Sequence, residues 1–131
     1  MARPVLGTSG TMAHSPRDLR TRSTQFGADV TAFVEVELER RVIPLRILEQ
    51  VLAAGTSIGA HCAEADSANS RRHLLVLRRG ALREAKESQH WLTVIKLACR
   101  PQSPAVVDAL LTEASELVAI LTACVRRLDD N

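Results

Sequence analysis

Aromatic residues are nearly missing from this chain. They make up 2% of its 131 residues, with no tyrosine and only Phe26, Phe33 and Trp91. Strands favour aromatic and β-branched side chains, so a core of leucine, alanine, valine and isoleucine points away from sheet and towards helix. Cysteine is scarce as well: Cys62, Cys99 and Cys124 are odd in number and lie inside apolar helical patterns. That argues for reduced, buried thiols in a cytoplasmic protein and against a disulfide framework. No pair has the spacing of zinc ligands, so no metal is expected. No window approaches the roughly 18 consecutive apolar residues of a membrane span. No apolar run opens the chain, so no secretory signal is expected. The formal net charge of +2 is too small to name a partner.

What is present is a set of long apolar periodicities, enough for one domain with a real core. Residues 1–20 carry glycine, serine, threonine and proline without periodicity and read as a mobile tail, with Met12 an alternative start. Residues 21–131 read as the folded domain. A first helix is predicted from about Arg22 to Arg41, with Phe26, Val30, Phe33, Val34 and Leu38 on one face. Pro44 blocks its continuation and suits the first turn of a second helix, which runs to about Asp66. In that helix Gly55, Gly59 and Ala63 form a smooth ridge where another helix can approach closely. A phosphate-binding loop is a poor alternative, because no strand precedes these glycines and the lysine of such a loop is missing.

Ser70 or Asn69 is the expected cap of a third helix reaching about Cys99. Leu74, Leu77, Ala81, Leu82, Ala85, Leu92, Ile95 and Cys99 give it an apolar arc wide enough for two neighbours. Ser103 with Pro104 opens a fourth helix to about Leu128, whose apolar residues step by three and four. Four helices with short connections make an all-α, antiparallel up-down-up-down four-helix bundle.

Catalytic chemistry finds no foothold. His61 and Glu64 lie one turn apart, but they reverse the order of the Glu-x-x-His pairs of di-iron bundles and have no second copy. They read as a partly buried polar pair bridging helices. No enzyme or cofactor signature accompanies them. Charge is more informative. From Asn69 to Arg100 there are eight basic residues and two acidic ones. Arg72, Arg79, Arg83, Lys86 and His90 share a narrow arc opposite the apolar face. The row is roughly 27 Å long at the helical rise, enough to follow a nucleic-acid backbone. The competing reading is a solvated face whose charges meet acids such as Asp108, Glu113 and Glu116 of the fourth helix.

Three segments carry a family resemblance: Thr56-Ser-Ile-Gly-Ala-His-Cys-Ala-Glu-Ala, then Ser70-Arg71, then Ala85-Lys-Glu-Ser-Gln-His-Trp-Leu. The closing Glu113-Ala-Ser-Glu-Leu-Val-Ala-Ile-Leu-Thr-Ala adds to it, and Phe26 to Val34 matches more loosely. Together they resemble the 23S rRNA intervening-sequence protein family, bacterial four-helix bundles, over about Arg22 to Leu128. The chain departs from the family pattern at His61, at His73-Leu74 and in the first interhelical loop. The resemblance implies a homo-oligomer, a pentameric ring, with no enzymatic activity. A distant branch comprises the accessory proteins of diversity-generating retroelements, which bind reverse transcriptase and RNA. The expectation is therefore a non-enzymatic oligomeric bundle that binds RNA, or a nucleic-acid-handling protein such as a reverse transcriptase, through the basic row. The alternative is a protein-interaction scaffold with no nucleic-acid role.

Overall fold

The computed structural model describes residues 16–130. Four helices follow one another: α1 (Pro16–Arg40), α2 (Leu45–Ala65), α3 (Arg71–Ala98) and α4 (Pro104–Asp129). The chain is an all-α four-helix bundle. Cross-links between ends show the antiparallel order. Arg20 near the start of α1 bonds Asp66 after α2 at 2.8 Å, and Arg71 at the start of α3 bonds the Arg127 and Leu128 carbonyls of α4.

Each boundary has a local cause. Arg41 adopts the left-handed conformation (φ 57°) and its N–H still reaches the Glu37 carbonyl at 3.2 Å. This closes α1 at a position usually given to glycine. Ile43 then turns into the core at 4% exposure, and extended Pro44 opens α2. Ser70 Oγ accepts the His73 N–H at 3.0 Å and caps α3. Ser103 Oγ accepts the Val106 N–H at 3.3 Å, with Pro104 in the first turn of α4.

The core is built from Phe26, Val30 and Phe33 of α1, Val51 and Ile58 of α2, Ala85, Leu92 and Ile95 of α3, and Leu110, Leu117 and Leu121 of α4. The wide arc of α3 faces both α2 and α4, and its margins, Leu74, Leu82 and Cys99, are only half-buried. α1 packs extensively on α2 but touches α4 over a much smaller area. Long polar side chains close that seam. Arg22 donates to Glu113 at 2.6 and 3.0 Å and to Glu116 at 2.9 Å. Glu37, 1% exposed, accepts the Gln102 N–H at 2.8 Å and the Arg40 guanidinium at 2.7 Å.

Several expectations need correction. Residues 1–15 of the expected tail lie outside the described residues, but residues 16–20 belong to α1, and Leu19 is 2% exposed. Leu38, expected in the core, is 43% exposed. Glu37 turns inward in that last turn because the Gln102 N–H and the Arg40 guanidinium satisfy its carboxylate there. In the glycine ridge, Gly55 and Gly59 meet α1. A β-carbon on Gly55 would stand 3.0 Å from both Val30 methyl groups, and one on Gly59 would stand 3.2 Å from the Thr24 backbone. Ala63 is exposed and lies beyond this contact. On the α1 side the ridge is met by Gly27, buried against Gly55 and Thr56.

Candidate nucleic-acid interface

The basic row sits on α3, a helix with two basic residues and no acid in its first turn. Cations there oppose the helix dipole. The antiparallel neighbour resolves the conflict, because the C-terminal carbonyls of α4 lie alongside. Arg71 bonds them, and Arg79 reaches Asp129 at 2.7 and 2.9 Å. The Arg79–Asp129 pair is open to solvent, with the two side chains 54% and 42% exposed. Such a pair contributes about 0–1 kcal/mol.

Arg72, Arg79, Arg83, Lys86 and His90 are all exposed. Four of them, Arg79, Arg83, Lys86 and His90, line one shallow groove of about 600 Å³, completed by Leu82, Glu87 and Trp91. Arg72 is nearly two turns before Arg79 and outside that lining. Among the described residues no ion pair engages Arg83 or Lys86. Most of the acids proposed to neutralise this face are occupied elsewhere. Glu113 and Glu116 hold Arg22 of α1, and Asp108 holds Lys96 at 2.8 Å, one face round from the row.

Sequence reasoning missed Trp91 as part of the groove. The half-buried indole meets the exposed His90 ring edge-on, with centroids 4.9 Å apart and planes at 73°. Its position between the cations and the apolar arc was the available signal. Beside it, burial raises the Glu84 carboxyl, and neighbouring Glu87 pushes it the same way. Arg78, counted among the basic residues of this helix, is turned inward at 6% exposure, and its Nη1 has no hydrogen-bond partner. It faces Cys62, whose thiol is pushed up by burial while Ser23 and Arg78 pull it down.

His61 and Glu64 do not form the expected bridging pair. The His61 ring rests on Gly80 of α3, where a β-carbon would meet it at 2.9 Å, and its Nδ1 has no partner. Glu64 is exposed, and no hydrogen bond joins the two. No group of three or more His, Cys, Asp or Glu able to hold a metal occurs among the described residues. No helix among them is long and apolar enough to cross a membrane.

Fold and surface together define a helical bundle with a cationic groove on the outward face of α3. A solved structure has the same architecture: a protein of unknown function from the S23 ribosomal protein family of Bacteroides thetaiotaomicron VPI-5482. It superposes with a TM-score of 0.77 at 22% identity, covering 85% of this chain and 97% of the other. At that identity the likeness shows the fold. No family model and no curated protein matches the chain.

Proposed function

We propose that this protein is a non-enzymatic, homo-oligomeric bundle, as the resemblance to the intervening-sequence proteins implies, and that it binds RNA through the outer face of α3, as the distant retroelement branch does. The observation that carries this reading is the groove. Arg83 and Lys86 are exposed, free of ion pairs among the described residues, and flanked by Arg79 and His90. Unpaired cations in a row attract a phosphate backbone and release its counterions, so binding should weaken steeply with salt. Arg79 contributes as well, since its exposed link to Asp129 costs little to exchange for a phosphate. Arg83→Glu with Lys86→Glu is the sharper test because neither side chain supports the fold. RNA affinity should be lost while helicity by circular dichroism is kept. Unchanged affinity would remove the groove from the function.

A second reading, a protein-interaction scaffold, also has support. Arg79 does meet an acid near the end of α4. Val76 and Leu97 project beside the two ends of the basic row at 61% and 81% exposure. Val36, Leu38, Val42, Leu45 and Val106 are exposed at or near the end of the bundle where α1 ends and α4 begins. Apolar groups exposed in this way suit protein contacts, with another copy or with a nucleic-acid-handling partner such as a reverse transcriptase. Sedimentation of the purified chain distinguishes monomer from oligomer, a pentamer being the expected state.

A further inference from the structure

The α3 groove is not uniformly cationic, and its asymmetry has a direction. At about 100° per residue, the lining residues are ordered around the helix from the α4 side to the α2 side. That order is Leu82, Lys86, Arg79, His90, Arg83, Glu87 and Trp91. Cations therefore occupy the middle and the α4 flank. A carboxylate and the chain's single indole occupy the α2 flank. Arg79 to His90 spans roughly 16 Å along the helix, room for a few nucleotides.

A duplex makes poor use of this arrangement. Its phosphates lie outside and its base faces are stacked inside, so an indole beside the cations gains nothing from it. Glu87 would also repel a phosphate on that flank. A single strand fits both flanks. Its phosphates can lie on Lys86, Arg79 and Arg83, and its bases can turn towards Glu87 and Trp91. There the indole offers a stacking surface, and the carboxylate accepts from a base amino group. Positive grooves that combine backbone tracking with aromatic stacking are the general solution for single-stranded nucleic acid.

Resting on the RNA-binding reading above, we propose that the groove selects single-stranded RNA and seats an unpaired base against Trp91 and His90. Trp91 is the only tryptophan in the chain, so its fluorescence reports on the seat directly. The full chain is titrated with an unstructured RNA of about twelve nucleotides and with the corresponding duplex at the same salt. Anisotropy and tryptophan emission are both followed. The single strand should bind at least tenfold tighter than the duplex and quench Trp91. Trp91→Leu should weaken single-strand binding about five- to 150-fold, the range for losing one stacked base, and Trp91→Phe should restore part of it. Because Trp91 also packs against the core, the unmodified protein is tested in parallel with an abasic version of the strand, which should bind more weakly and quench less. Equal binding of strand and duplex without quenching would overturn this inference and leave the cationic row standing. Binding of neither RNA would overturn both.

Discussion

At Gly59 a methyl group would stand 3.2 Å from the backbone of Thr24, which cannot turn aside. At Gly27 the nearest atoms, the Gly55 carbonyl oxygen and Thr56 Cα, are at an ordinary 3.4 Å. Gly59→Ala should therefore destabilise the bundle by about 1–3 kcal/mol through overpacking. Gly27→Ala should be neutral or stabilise by up to about 1 kcal/mol through helix propensity. Urea unfolding of the two variants checks the contrast, and equal midpoints would mean that α1 and α2 are not in close contact here. Gly80 is a third case: the crowding atom belongs to the half-buried ring of His61, which can swing outward. The sequence showed the run of small residues but not which of them touches a neighbour. It points to Ala63 and not to Gly27, because the partner across a helix contact leaves no local trace. Arg78 is a different case: at about 100° per residue it falls on the apolar arc, between Ala85 and Leu82, and it does point inward, towards Cys62.

For the elements, capping chemistry was the most legible feature. Ser70 and Ser103 carry the cap hydrogen bonds of α3 and α4. Replacing either with alanine should cost about 0.5–2 kcal/mol. The two caps are at opposite ends of the bundle and share no partners, so the double variant should show the sum to within about 0.5 kcal/mol. Thermal unfolding of the single and double variants measures this, and clear non-additivity would mean that the two ends communicate. Apolar periodicity located all four helices. It failed at both ends of α1. There the first turn carries only Leu19 as an apolar anchor, and the last turn buries Glu37 in place of Leu38. A carboxylate enters the core only where donors await it, and its backbone donor, the Gln102 N–H, lies in the loop before α4.

Across the whole molecule, the weakest interface is the seam between α1 and α4, and charge closes it. Arg22 holds Glu113 and Glu116, and its guanidinium is raised further, first by the hydrogen bond to Glu113. Removing it leaves Glu113, 9% exposed, without its cation. Arg22→Ala should cost about 1.5–3 kcal/mol, the range for hydrogen bonds to charged groups. Hydrogen exchange should then rise first along α1 and α4. Uniform loss of protection across all four helices would show that the seam does not open separately. At about 100° per residue Glu113 and Glu116 lie on the α1 flank of α4, turned from α3, whose contacts with α4 run through Asp108, Ser115 and Asp129.

The sequence by itself determined the all-α class, the four helices, their caps and the arc on which the basic residues lie. Each of these follows from short-range rules: periodicity, side-chain capping and the rotation per residue. The tertiary structure alone decided which cations stay available. It gave Arg79 to Asp129, Lys96 to Asp108 and Arg22 to Glu113 and Glu116, and left Arg83 and Lys86 with His90 beside Trp91. Pairing between charges depends on which helix lies alongside, and that is fixed only when the bundle closes.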